Sequence, residues 1–297
     1  MSARRVFVVA VADDSAEEDL KRWFRAVNIA AQEAATVPGI SEVEIVLGLP
    51  SGRAIGFPSG DSPSGSAIRV AELGAAESVP AALNLIVLGL SRAAAQDVIV
   101  LLDPRCLPSR DTLRRLVTDV VDEEVGLVQA RQIPFEGYQG FDPDTREMSW
   151  AVSSAAATRL EVFAAVNGFD TEHFSTRVSD VDLSWRIVAE GWRIRYCPDA
   201  VVFTDGTFAD RSLSWRAKPG DGDRTLDHLN LLRRFGSSRI LNEALAWVDE
   251  SGDAAQVAAA EVFRASERNN GSIEPSSGAE DSASFGDDFY GADRFAD

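Results

Sequence analysis

Five strand-length apolar runs limit what this chain can fold into. They cover residues 6–11, 43–47, 68–72, 98–102 and 125–130, and most are apolar at successive positions rather than at alternate ones. Runs of that kind mark strands covered on both faces, as in a parallel sheet packed between helices. Between them the apolar residues recur at helical spacing. Leu20, Trp23, Phe24, Val27 and Ala30 form one buried stripe, and Ala82, Leu83, Ile86, Val87 and Leu90 line one side of a helix over 79–94. Ser15, with Glu18 three residues on, fits a cap for the first helix. Ser109 and Thr112 open another helix, which ends near Val121. Strands alternating with helices predict βαβ units and an α/β fold with a mostly parallel sheet.

Composition narrows the function classes. The chain has 297 residues, 45% of them hydrophobic, which is enough to bury a sizeable core. Its formal net charge is −18, and Lys21 and Lys218 are the only lysines. That balance argues against a nucleic-acid partner and against docking on anionic lipid. No apolar run reaches the roughly 18 residues of a membrane span, so none is expected and a cytoplasmic location is the default. The short apolar run after Arg4 and Arg5 leads into an acidic helix and reads as a buried first strand rather than a leader. Cys106 and Cys197 suggest neither a disulfide framework nor a zinc site. His173 and His228 lack ligand spacing and read as surface or core residues. The loop over 49–66, rich in Gly, Ser and Pro, carries no phosphate-cradling signature, and no nucleophile elbow occurs. An irregular insertion over 132–149 carries Phe135, Tyr138 and Phe141.

The chemistry concentrates in residues 166–205, VNGFDTEHFSTRVSDVDLSWRIVAEGWRIRYCPDAVVFTD. Asp180 and Asp182 stand at the start of a helix, Arg186 lies one turn on, and Leu183, Ile187 and Val188 supply its apolar face. Gly191 ends the helix, and strands follow over 193–196 and 200–203. Two readings stay open for the carboxylates: acceptance of a proton from a hydroxyl nucleophile, or stabilisation of a helix N-terminus, with Ser179 and Asp182 as a loose capping box.

GFDTEHF, then SDVDLSWR, then GWRIRYCPDAVVF, resembles in order and spacing the C-terminal half of the nucleotide-sugar domain of family-2 glycosyltransferases. The resemblance implies a GT-A-like α/β fold and inverting transfer of a sugar from a nucleotide-diphosphate donor to the hydroxyl of a glycan, lipid-linked or protein acceptor. It implies Asp180 as the base, and Asp182, Arg186, Trp150 and Ser154 around the sugar and acceptor. It places Val11, Ala12, Asp103 and Arg105 beside the nucleotide, with Asp103 as ligand of a divalent cation, Mg²⁺ or Mn²⁺. Trp150 also reads as a plain core aromatic.

The chain departs from the pattern at several positions. Arg105 occupies the second acidic place of the metal motif, Ser179 precedes the base, and Thr204 replaces a histidine, with Asp205 following. Gly48 and Leu49 stand where a base-reading aspartate is expected. Arg105 fits either a guanidinium that binds the diphosphate directly or a lost metal site. The departures support a rival reading, a pseudo-glycosyltransferase that serves as a binding or assembly module. The expected organisation is a transferase domain over 1–207, a helical extension over 208–267 with helices at 226–235, 240–248 and 254–265, and a disordered acidic tail over 268–297. The tail's aromatics, Phe285, Phe289, Tyr290 and Phe295, offer a route to a protein partner.

Overall fold

The first apolar run becomes a fully covered central strand because helices pack on both faces of the sheet it joins. This is seen in a computed structural model that describes residues 3–12, 16–53, 55, 67–74, 76–134, 140–174, 178–204 and 222–268. Strand β1 (Arg4–Val11) pairs in parallel with β2 (Ile40–Pro50) and with β4 (Val98–Leu102), and β2 pairs in parallel with β3 (Ala67–Leu73). The eight strands run in the order β3-β2-β1-β4-β7-β6-β8-β5, where β5 is Cys106–Pro108, β6 Val125–Ile133, β7 Ala155–Arg159 and β8 Arg193–Thr204. β6 and β8 are parallel, whereas β7 is antiparallel to both β4 and β6, and β5 is antiparallel to β8. The sheet is therefore parallel on its β3–β4 side, with an antiparallel strand as the seam.

Alternate residues of the strands feed two cores. On one face Val6, Val8, Val98, Val100 and Leu102 meet α1 (Glu17–Ala34) and α3 (Thr112–Val120). On the other, Phe7, Val9, Ile99 and Leu101 meet α2 (Val79–Leu88), α4 (Leu160–Ala165) and α5 (Ser179–Ala189). The stripe expected on α1 is all buried, Leu20, Trp23, Phe24, Val27 and Ala30 included. Its N-cap is Ala16, with no side-chain cap, since the helix starts at Glu17, one residue past the place that Ser15 would serve. Three acids in its first turn supply the favourable charge instead.

Several elements differ from the sequence reading. α2 stops at Leu88 and is capped by Gly89, because residues 90–97 turn back to place Asp97 under β1. Asp97 is buried and takes hydrogen bonds from the Arg5 backbone N–H and side chain at 2.8–3.2 Å. The strands at 193–196 and 200–203 form one strand, β8, with a register shift against β6 between Ala130 and Arg131 that absorbs residues 198–200. β5, β7 and α4 have no counterpart in the sequence reading.

The C-terminal helices α6 (Gly222–Phe235), α7 (Ser238–Ser251) and α8 (Ala254–Arg268) match the periodicity closely. α6 inserts Leu231 and Phe235 into a cluster with Trp150, Val181 and Trp185, and its Leu229 joins Val248, Ala260 and Phe263. No helix among the described residues is long and apolar enough to cross a membrane. Ser15, Phe135, Tyr138, Asp205 and the tail beyond Arg268 lie outside the described residues.

Candidate active site

The carboxyl ends of β1 and β4 meet the N-termini of α2 and α5 at one edge of the sheet, where open α/β sheets bind ligands. A cleft of about 590 Å³, open mouth included, lies there. Its lining includes Val11 from β1, Val79 and Leu83 from α2, Asp103 and Arg105 after β4, Ser154 before β7, and Asp180 on α5. Five of the candidate site residues are thus brought together: Val11, Asp103, Arg105, Ser154 and Asp180.

The antiparallel seam makes this convergence possible. β4 leaves the sheet at Leu102, opposite Ala155, where β7 enters it, so the two strand ends share one edge. The Asp103 N–H donates to the Ser154 carbonyl at 2.8 Å. Buried amide and hydroxyl side chains fix the segment before β7: Gln129 accepts from Val152 N–H at 2.7 Å, Gln132 donates to Ser154 Oγ at 3.0 Å, and Ser184 accepts from Ala151 N–H at 3.1 Å. In a low-dielectric interior such bonds hold backbone in place, because breaking one leaves a buried polar group unpaired.

Arg105 closes on Asp103. It donates through its backbone N–H at 2.8 Å, Nε at 3.0 Å and Nη2 at 2.7 Å, spanning both carboxylate oxygens. A divalent cation at Asp103 would have to displace this fork, with Asp180 as the one other carboxylate lining the cleft among the described residues. Among the described residues no group of three acidic, histidine or cysteine side chains is placed to hold a metal ion. Paired in this way, the described residues around Asp103 do not fit a divalent cation.

The other expected site residues lie elsewhere. Trp150 is 3% exposed and packs in the apolar cluster with Trp185 and Phe235. Ala12 is buried beside β2, where its N–H donates to Gly48. Asp182 is fully buried two positions along α5 from Asp180, gripped by Arg186 Nε at 2.9 Å and by Arg234 Nη1. Arg186 also donates to the carbonyls of Val166 and Gly168. It lines a separate hollow with Asp170, His173 and Arg234. In a two-residue step along a helix the side chain turns through about 200°, so Asp180 and Asp182 face opposite ways.

Arg234 escaped the sequence reading. It sits in the last turn of α6, bridges Asp182 and Asp170 (2.6 Å to Asp170 Oδ2), and stacks over Phe174 at 5.0 Å. Burial pushes the Asp170 carboxyl up, but hydrogen bonds and charge from Arg234 and His173 outweigh it and hold it below the usual range. The only sequence signal was a charged residue amid the apolar positions of α6.

Two glycines explain local geometry. Gly168 has φ +67°, and an added Cβ would fall 2.3 Å from Asn84 Oδ1, whose amide pairs with both backbone groups of Phe169. At Gly48, where a base-reading aspartate was expected, a Cβ would meet Ile86 and Leu73 at 2.8 and 2.9 Å. Apolar side chains fill that place. Thr204 pairs with Cys106 across β8 and β5 and donates to the Ile133 carbonyl at 3.3 Å.

Known proteins bear on this geometry. No family model matches the chain. Pre-mycofactocin glycosyltransferases from two Mycobacterium tuberculosis strains, CDC 1551 / Oshkosh and ATCC 25618 / H37Rv, are 31% identical over 132 residues, a match that takes in 38% of this chain and 28% of the relatives' own length. Among solved structures, a mannosyltransferase from Pyrobaculum calidifontis in complex with GDP-Man and Mn²⁺ superposes with a TM-score of 0.53 at 19% identity, over 90% of this chain and 80% of its own. GalNAc-T7 with UDP, GalNAc and Mn²⁺ gives 0.57 at 12% identity, over 90% and 55%. In architecture, with its cleft at the carboxyl edge of the sheet, the chain has the GT-A fold of glycosyltransferases that use nucleotide-sugar donors.

Proposed function

We propose that this chain is an inverting glycosyltransferase that moves a sugar from a nucleotide-diphosphate donor to an acceptor hydroxyl, with the transferase unit over 1–207. One observation carries the reading: Asp180, at the N-terminus of α5, lines the same cleft as Asp103, Arg105 and Ser154. A carboxylate at one wall and a diphosphate-binding group at another are what a single displacement needs. The acceptor oxygen attacks the anomeric carbon as its proton passes to Asp180. The bond from that carbon to the diphosphate oxygen breaks, and the nucleoside diphosphate leaves with the electron pair. Val11, Val79 and Leu83 offer an apolar wall for the nucleoside, and Ser154 a hydroxyl for the sugar. Similarity to the pre-mycofactocin glycosyltransferases, and a fold shared with a GDP-Man complex and with a complex of UDP and GalNAc, supports transfer from a nucleotide-sugar donor. Asp182 and Arg186 support the base by fixing α5 from behind, and Trp150 does so through the apolar cluster under that helix.

The test is a thermal-shift screen with UDP, GDP, dTDP and their sugars, followed by transfer assays on any donor that binds. A bound donor raises the melting temperature by mass action. Asp180→Asn should then cut turnover by roughly 10²–10⁴-fold, the usual worth of a positioned base, with donor affinity unchanged. Turnover near that of the wild type would remove Asp180 from the mechanism. A second reading, a non-catalytic binding module of the same fold, is favoured by Gly48, where Leu73 and Ile86 fill the place of a base-reading side chain. Donor binding without transfer or donor hydrolysis would select it.

A further inference from the structure

We propose that Arg105, clamped by Asp103, supplies the fixed positive charge that binds the donor diphosphate, in the place where a divalent cation would otherwise stand. This rests on the donor reading above and deepens it.

Among the described residues lining the cleft, Arg105 is the one basic side chain, and it shares the cleft with two carboxylates, Asp103 and Asp180. A diphosphate entering such a cleft needs a counter-charge. The pair is built so that the cation, not the carboxylate, meets the ligand: the Arg105 side chain is 41% exposed and that of Asp103 only 15%. Asp103 is itself anchored, its N–H on the Ser154 carbonyl and its own carbonyl accepting from Cys106 N–H at 2.8 Å. Three hydrogen bonds from one residue to one carboxylate then fix the guanidinium plane. Nε–H and one Nη2–H face Asp103, so the Nη1–Nη2 edge of the planar guanidinium is turned away from that carboxylate. That planar edge matches phosphate oxygens in pairs, and the charge stays in place between turnovers. In this arrangement Asp103 is a positioning residue. It orients Arg105 as a carboxylate in a metal motif would orient an ion. As the bond to the anomeric carbon breaks, Arg105 stabilises the charge arriving on the diphosphate.

The experiment is calorimetric titration of the full chain with UDP, GDP, CDP and dTDP, each in EDTA and in Mn²⁺. The best-binding nucleotide should show the same affinity in both, within about threefold. Arg105→Ala should weaken it by about 10–100-fold, the worth of charged hydrogen bonds, with the ligand-free melting temperature held within a few degrees. Arg105→Asp sets a second carboxylate two residues from Asp103, so its binding should be as weak as that of Arg105→Ala in EDTA and recover at least tenfold in Mn²⁺. A tenfold or greater gain by the wild type in Mn²⁺ overturns the proposal, as does Arg105→Ala binding like the wild type. If no nucleoside diphosphate binds the wild type in either condition, the donor reading itself falls and takes this inference with it.

Discussion

Asp182 shows how a motif residue beside a cleft can be held inside the fold. Its side chain is fully buried and meets two guanidinium groups, Arg186 from its own helix and Arg234 from α6. Removing a buried ion-pair partner leaves uncompensated charge, so Asp182→Ala should cost about 3–5 kcal/mol in urea unfolding. Donor affinity of the remaining folded protein should not move. Unchanged stability with lost donor binding would return Asp182 to the cleft. The sequence marked Asp180 and Asp182 together because both fit one motif. It gave them different roles, Asp180 as the base and Asp182 beside the acceptor, but not opposite sides of the helix, since the partner that holds Asp182 comes from α6. His228 makes a second residue-scale case. Burial, helped by the Arg224 charge, pushes its pKa down from 6.5 to about 4. The unfolded chain takes up this proton below pH 6.5 while the folded one stays neutral, so the stabilisation is present above pH 6.5 and is lost as pH falls toward 4. That loss approaches roughly 3 kcal/mol at the low end of the window. Asp170, held below the usual carboxylate range, keeps its contribution above about pH 3.8 and leaves this window to the histidine. Melting temperatures between pH 7 and 4.5 should fall in the wild type and stay flatter in His228→Gln. Equal slopes would exclude His228 as the cause.

At the level of elements, α6 unites what the sequence divided. The boundary at 207/208 suggests a separate extension, yet α6 places Phe235 edge-on against Trp185, with centroids 5.2 Å apart, and Asn230 donates to the His173 carbonyl at 2.7 Å. Phe235→Ala should therefore cost about 3–5 kcal/mol, as for a large buried aromatic. The whole chain should unfold in one transition by circular dichroism and by tryptophan fluorescence. An earlier, separate melting of α6 to α8 would restore the extension as an independent unit. β7 is the opposite case, an element that the sequence hid. Ala155, Ala156 and Ala157 have helix-forming rather than strand-forming preferences. They form a strand because the space between β4 and β6 admits only small side chains, all three of which are fully buried. β4 was legible to the residue, since Val98–Leu102 is apolar at every position and buried throughout.

For the molecule as a whole, periodicity revealed the α/β class and most helices because those signals are local. The seam strand and the Arg234 bridge join residues far apart in the chain, and their pattern becomes visible only in three dimensions. The antiparallel seam has a consequence for how the protein reaches its native state. β1, β2, β3 and β4 can pair with one another as the first third of the chain emerges, but the open side of β4 must wait for β7, and β5 must wait for β8. Pairings between distant segments carry a large loop-closure cost before they return any stabilisation, which makes them slow steps. The cleft is assembled across that late pairing, so refolding should recover the secondary-structure signal before the ability to bind nucleotide. During synthesis, the apolar edge of β4 is the surface on which the half-made chain is open to aggregation.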